Sequence, residues 1–202
     1  MDVDLEEALD IAAKRQPLSL DAQQRNQLKE FLIGRLDAWL SEESDAPRDV
    51  IRAVLAEQGL NPARAQRGLQ ELTQWTQRED WPLILDNFAR CVRITRPESK
   101  IYTLQPEAFT ESLERDLYAA YQTVVIQLKP QSGVHEMLTA FAPIVPAIQT
   151  FFNTILVHAE DKAVRENRLA LLQAISSLQR GRVDLSAFER VLTPLSHQTL
   201  KV

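Results

Sequence analysis

The sequence predicts an all-α protein, built as one or more helical bundles with about seven to nine helices. Apolar residues recur at three- and four-residue intervals through most of the chain, which is the period of an amphipathic helix. Only 5 of the 202 residues are glycine, and runs of β-branched residues are few. No stretch alternates apolar and polar residues as a half-buried strand does. Together these observations favour helices and exclude a sheet.

The first half of the chain predicts one short helix and four longer ones. Residues 1–20 contain a short helical stretch that Pro17 interrupts. Asn61 followed by Pro62 is a cap and first-turn pair, and Gly59 ends the helix before it. The longer predicted helices are 21–42, 47–59, 61–78 and 80–95.

An extended linker at 97–106 separates two predicted parts, a helical region at 1–96 and a helical domain at 107–202. Pro143 and Pro146 each remove an internal hydrogen bond, so a kink is expected between them. The predicted helices of the second part are 106–128, 134–153, a helix that ends at Gly181, and a last short helix at 184–192.

The composition indicates a soluble globular protein, with 45% hydrophobic and 25% charged residues. The net charge of −5 argues against a general nucleic-acid binder held by bulk electrostatics, DNA included, but it allows a local basic patch. A single Cys91 excludes an internal disulfide and is expected in the core. We expect a cytoplasmic protein, because neither a secretory signal nor an apolar run of membrane-spanning length is visible.

No motif points to catalysis or to a metal. The glycines are scattered singly, so no phosphate-binding loop is predicted. His135, His158 and His197 lie far apart and lack the spacing of metal ligands. We therefore predict no catalytic residue, no metal site and no cofactor in this chain.

The segment from Asp161 to Leu178 carries polar residues where a plain core helix would not. On a helical wheel, Asn167 and Arg168 fall inside the apolar sector and Arg165 falls at its edge. Buried donors of this kind need partners for every N–H group. Two explanations stay open: an internal network with Glu160 or Asp161 as the anion, or a notch where a ligand supplies some of the partners.

The same segment carries a family resemblance. AEDKAVRENRLALL (159–172) resembles the C-terminal, DALR-type anticodon-binding domain of the bacterial glycyl-tRNA synthetase β subunit. FLIGRLDAWLSEESDAPRDVIRAVLA (31–56) and FARCVRITRPES (88–99) look like upstream segments of the same family. The resemblance covers roughly residues 28–190 and implies a DALR-like bundle at 107–202.

The resemblance implies that the chain recognises a glycine tRNA, whose anticodon ends in two cytosines. A pocket selective for cytosine needs donors together with an acceptor for its amino group. Our hypothesis is that Arg165, Asn167 and Arg168 supply the donors and that Glu160 and Asp161 supply the acceptors. Among the aromatic residues, Tyr102 in the predicted linker and Tyr118 off the main apolar stripe are the candidate stacking platforms.

A second set of cations is predicted on the helix at 80–95. Arg90 and Arg93 point away from its apolar stripe, while Arg96 and Lys100 follow near its end. An i,i+4 pair between Asp86 and Arg90 would leave a surplus of positive charge on that face. We expect this face to contact the RNA backbone.

In the family, the whole enzyme is an α2β2 heterotetramer that joins glycine to its tRNA with ATP and Mg²⁺ on the α subunit. By resemblance, this chain would therefore be a non-catalytic part of the ligase, and its partners would be glycine tRNA, the α subunit and the rest of β. Two alternatives remain: a helical protein-interaction module, and the anticodon-binding domain of a related synthetase such as the arginine enzyme.

Overall fold

The computed structural model describes residues 2–15 and 20–188, and these ranges contain nine α-helices and no strand. The predicted all-α class is confirmed. The helices are α1 (Leu5–Ala13), α2 (Ala22–Glu43), α3 (Arg48–Gln58), α4 (Pro62–Thr76), α5 (Trp81–Thr95), α6 (Ser112–Gln127), α7 (Val134–Phe141), α8 (Val145–Thr154) and α9 (Lys162–Ser176).

Side chains cap the N-termini of α1, α2, α4 and α9. Asp21 accepts a hydrogen bond from the Gln24 N–H and so begins α2, one residue after the predicted helix start. Asn61 caps α4 through the Arg64 N–H, as the Asn61–Pro62 pair predicts. At the other end of the chain, Gly181 has a φ of 68°, the left-handed conformation that glycine tolerates.

Prolines and a glutamate account for the helices that differ from prediction. The predicted kink is present: a 3-10 turn, Ala142–Ile144, separates α7 from α8. The predicted helix at 106–128 is instead a 3-10 turn, Pro106–Ala108, followed by α6. Phe109 is extended, and the Glu114 carboxylate accepts hydrogen bonds from the Thr110 and Glu111 N–H groups, so α6 begins only at Ser112. The predicted last helix appears as a 3-10 turn, Leu185–Phe188, and residues 189–192 lie outside the described residues, as does Pro17.

The core is one hydrophobic cluster in which α9 is central. α9 packs along α5, and its buried residues in this cluster are Leu169, Leu171, Leu172 and Ile175. α3 pairs with α4 and carries α2 on its outside, while α6 covers α8 and α7.

The predicted linker at 97–106 does not divide the core into two. The cluster includes Val54 and Phe88 from before this segment and Leu117 and Leu171 from after it. The rings of Phe88 and Phe141, one from each side, meet edge to face with centroids 5.1 Å apart. The segment itself lies on the surface of the common core, and this position makes it part of the candidate site.

Candidate nucleic-acid interface

The N-terminus of α9 is capped by Asp161. Its carboxylate accepts hydrogen bonds from the Ala163 and Val164 N–H groups at 2.8 and 3.0 Å. Glu160, the residue before it, is exposed. Neither of these carboxylates pairs with Arg168, so our expectation of Glu160 or Asp161 as the internal anion is wrong.

Arg168 is neutralised by Glu114 from α6. The Arg168 Nε donates to Glu114 Oε1, and Nη1 donates to the Leu156 carbonyl oxygen at 2.8 Å. The two side chains are only 9% and 2% exposed. Glu114 Oε2 in turn accepts from the Thr110 and Glu111 N–H groups at 2.7 and 2.9 Å. This buried pair joins α9, the start of α6 and the segment before α9.

The hydrogen bonds of Glu114 determine the direction of its pKa. Burial by itself would raise that pKa, because it disfavours the carboxylate. The Glu111 N–H and the Arg168 guanidinium both favour the ionised form and outweigh burial, so the pKa lies below its ordinary value. The pair is therefore ionised at neutral pH.

Asn167 holds the backbone of Gln105. Its Oδ1 accepts from the Gln105 N–H and its Nδ2 donates to the Gln105 carbonyl oxygen, both at 2.9 Å. Gln173 makes the same kind of paired contact three residues earlier in that segment. Its Oε1 accepts from the Tyr102 N–H at 3.0 Å, and its Nε2 donates to the Lys100 carbonyl oxygen at 2.8 Å.

These two carboxamides fix residues 100–105, which we call the strap, across the outer side of α9. Sequence reasoning missed Gln173 as a structural residue. The available signal was two small residues of α9 beside the strap, Ala163 and Ala170. The two small residues would not by themselves have identified which segment comes close.

The structure thus divides the predicted base-contacting residues. Asn167 and Arg168 are buried and bonded within the protein, as the internal-network explanation requires. Arg165 is half-buried, and its Nη1 donates to the Ala159 carbonyl oxygen at 2.8 Å. Lys162 and Glu166, which sequence reasoning did not select, lie on the strap side of α9.

The predicted cations of α5 lie on its surface. Arg90 is exposed, and its guanidinium lies 4.3 Å from the centroid of the Phe152 ring. Asp86 pairs with Arg93, at 3.4 Å, so the expected Asp86–Arg90 pair is wrong. Arg96 is exposed at the C-terminal end of α5.

Lys100 connects this set of cations to α9. Its Nζ lies 3.9 Å from Glu166 Oε1, and Lys162 Nζ approaches the same oxygen at 4.0 Å. Lys100 Nζ also lies 5.0 Å from the centroid of the Tyr102 ring. The strap therefore places Lys100, a member of the predicted backbone-contacting set, beside the first turns of α9.

Two surface clefts flank the strap. The smaller one, which we call the strap cleft, has a volume of about 210 Å³. Its lining residues are Lys100, Ile101, Tyr102, Thr103, Gln105, Ala163, Glu166 and Asn167. A larger cleft of about 380 Å³ lies on the other side of Tyr102, toward Gln173 and Arg180.

Three further observations concern the cysteine thiol, the grouping of possible metal ligands and the length of apolar helices. Cys91 is fully buried, and burial raises the pKa of its thiol to about 12. Within 2–15 and 20–188, no group of three or more His, Cys, Asp or Glu side chains is placed to hold a metal ion. In the same ranges no helix has both the length and the apolarity needed to cross a bilayer.

Comparison with known proteins identifies relatives with one common name. No family model matches the chain. It is 36% identical over 165 residues to the glycine–tRNA ligase β subunit of Moorella thermoacetica, covering 80% of the chain and 24% of that protein. The β subunit of Myxococcus xanthus is 32% identical over 174 residues, or 82% of the chain and 24% of that protein. The chloroplastic/mitochondrial glycine–tRNA ligase 2 of Arabidopsis thaliana is 30% identical over 186 residues, or 91% of the chain and 17% of that protein.

The chain spans a quarter or less of the length of these relatives. The matches extend over most of the chain, including both sides of the strap. The chain is therefore a homologue of glycine–tRNA ligase β subunits and corresponds to one region of them.

Proposed function

We propose that this chain is the C-terminal tRNA-recognising region of a glycine–tRNA ligase β subunit. It binds the anticodon end of glycine tRNA and does not itself catalyse a reaction. The observation that carries the proposal is the exposed face of α5. There, Arg90 and Arg93 present two guanidinium groups, and Asp86 pairs with Arg93 but not with Arg90. Such a face suits the phosphates of an RNA stem or loop.

The strap and the N-terminal half of α9 suit contact with bases. Cations and carboxylates alternate there, as Lys100, Lys162 and Glu166 show. Mixed donors and acceptors read base edges, whereas a purely basic surface would bind backbone without preference. Of the three donors predicted on α9, we retain Arg165 as the base contact, and we reassign Asn167 and Arg168 as the residues that hold the site together.

The proposed role in aminoacylation is positional. In the whole α2β2 enzyme, ATP and Mg²⁺ act on the α subunit, and binding at the anticodon would place the acceptor end of the tRNA at that distant site. The binding free energy at the anticodon raises the rate of the chemical step only if it is gained when the tRNA is correctly placed for reaction. The chain alone is expected to bind tRNA without attaching glycine.

A second candidate function, protein interaction, is supported by the outer face of α2. Phe31 and Trp39 are 62% and 43% exposed there, whereas Leu36 and Leu40 of the same helix are buried. Large exposed aromatics on one helix face are typical of protein contacts. The rest of a β subunit, or its α subunit, would be a suitable partner.

A binding titration distinguishes these functions. Labelled glycine tRNA, the same tRNA with a swapped anticodon, and an unrelated tRNA are each titrated with the chain, and fluorescence anisotropy is measured at several salt concentrations. We expect the tightest binding to glycine tRNA and a loss of preference on swapping the anticodon. Equal affinity for all three would support the protein-interaction function. Preference for a non-glycine anticodon would support the related synthetase instead.

A further inference from the structure

We propose that the strap cleft binds one unstacked nucleobase that carries an exocyclic amino group, with the Glu166 carboxylate as the acceptor. This inference rests on the proposed function and names the chemistry of its base-reading site. It replaces Glu160 and Asp161 as the predicted acceptors, because Asp161 caps α9 and Glu160 does not line the strap cleft.

The size and construction of the strap cleft suit a single base. Its volume of about 210 Å³ accommodates one base and is too small for a base pair. One wall is the strap backbone, which Asn167 and Gln173 hold in place through four hydrogen bonds. A site held in this way needs little reorganisation when a ligand enters.

Glu166 lies in this cleft with its acceptor capacity largely available. Its side chain is 30% exposed, and the nearest ammonium nitrogens lie 3.9 and 4.0 Å away. Those distances are longer than a hydrogen bond, so the two lysines attract the carboxylate without occupying its lone pairs. A carboxylate accepts from the amino group of cytosine and repels the carbonyl oxygen that uracil presents at the same position.

Tyr102 provides a platform beside this acceptor. The phenol donates to Glu98 Oε2 at 2.7 Å, and the Tyr102 backbone N–H is held by Gln173, so the ring is fixed at both ends. The hydrogen bond to Glu98 raises the pKa of Tyr102, which keeps the phenol neutral. Single-stranded bases stack on fixed aromatic rings of this kind.

Lys100 would then contact the phosphate of the bound nucleotide. Its ammonium now lies over the Tyr102 ring, but the side chain is 66% exposed and can move at small cost. A base that stacks on the ring would displace the ammonium toward the nucleotide's own phosphate. Lys100 would thus cover the Tyr102 ring before a nucleotide binds and contact the phosphate of the nucleotide afterwards.

The test uses the 202-residue chain and a series of RNA hairpins. Each hairpin differs from the parent by one cytosine-to-uracil change in the loop, which exchanges the amino group for a carbonyl oxygen and keeps the ring size. We expect one position at which this change weakens binding about tenfold or more, the discrimination of one good base contact.

Glu166→Gln should abolish that discrimination. A glutamine amide can turn to accept from cytosine or donate to uracil, so the preference at that position should fall to about onefold. Glu107→Gln removes the same charge from an exposed residue outside the strap cleft and should keep the preference. Thermal unfolding of both variants checks the fold, and we expect melting temperatures close to that of the parent chain.

A second pair of variants tests the platform. Tyr102→Phe keeps the ring and should retain most of the affinity, whereas Tyr102→Leu should weaken binding about tenfold. If the hairpins bind but no loop position prefers cytosine, or if Glu166→Gln keeps the preference, the strap cleft is not the base site although the chain binds RNA. If neither the hairpins nor tRNA bind, the proposed function fails as well.

Discussion

The buried pair of Arg168 and Glu114 should be the most sensitive point of this fold. Replacing Arg168 with methionine leaves the Glu114 carboxylate buried with the Thr110 and Glu111 N–H groups and the more distant Thr110 hydroxyl as its donors. Removing one partner of a buried ion pair costs about 3 to 5 kcal/mol. Because a domain of this size is stable by about 5 to 15 kcal/mol, Arg168→Met should lose a large part of that free energy.

A double-mutant cycle separates this pair energy from simple loss of packing. Glu114→Gln alone leaves the buried Arg168 guanidinium without its carboxylate partner, so this variant should also lose about 3 kcal/mol of folding free energy. The double variant contains no buried charge at either position and should lose clearly less free energy than the sum of the two single variants. A coupling of at least about 1 kcal/mol is expected.

The assay is urea unfolding followed by circular dichroism, with the four free energies of unfolding extrapolated to water. An unchanged denaturant slope shows that the variants unfold from comparable folded states. Two results would refute the reasoning: single variants that lose less than about 1 kcal/mol, or losses that simply add. Either would mean that Arg168 is not held mainly by Glu114 and that its availability to a ligand must be reconsidered.

Three further outcomes are expected. Arg93→Glu should weaken binding of every tRNA and flatten the salt dependence of that binding. Arg52→Glu, an exposed control on α3, should have a much smaller effect. Equal effects would show that the α5 face is not part of the tRNA site. Gln173→Ala should lower the free energy of unfolding by about 1 kcal/mol and speed hydrogen exchange at the Tyr102 amide. An unchanged exchange rate would contradict this prediction. Since the pKa of Glu114 is lowered on folding, the chain should lose stability as pH falls from the ordinary value of 4.5 through the folded pKa, and Glu114→Gln should reduce this acid dependence.

The helices and their ends were largely predictable because their signals are local. Asp21, Asn61 and the prolines at 143 and 146 act on backbone groups within a few residues. The start of α6 was not predictable in the same way. It depends on Phe109 being extended and on Glu114 capping the two residues before the helix, and neither feature breaks the apolar period.

The helical wheel located the unusual polar residues of α9 but not their partners. Asn167 and Arg168 stand out because they interrupt an apolar face. Their partners, Gln105 and Glu114, lie 62 and 54 residues away in sequence, and no local pattern connects them. Sequence reasoning therefore turned to the nearest carboxylates, but Asp161 caps α9 and Glu160 is exposed.

The two faces of α2 show a second limit of periodicity. In the sequence of α2, Phe31, Leu36, Trp39 and Leu40 recur at three- to five-residue intervals or next to one another, and this pattern predicts one shared apolar face. A helical wheel spreads these residues over a wide sector, and α3 covers only the part that contains Leu36 and Leu40. Which apolar residues a neighbouring helix covers depends on the packing of the whole chain, so the exposed pair could not be identified beforehand.

The location of the tRNA site can be tested directly by hydrogen–deuterium exchange, read by mass spectrometry, with and without saturating glycine tRNA. We expect slower exchange in peptides covering 97–106 and 155–166, which contain the strap and the start of α9. Peptides from α2 serve as the internal comparison, and their backbone amides should exchange at the same rate with and without tRNA. Protection confined to α2, with unchanged exchange at the strap in a sample shown to contain bound tRNA, would contradict the proposed site.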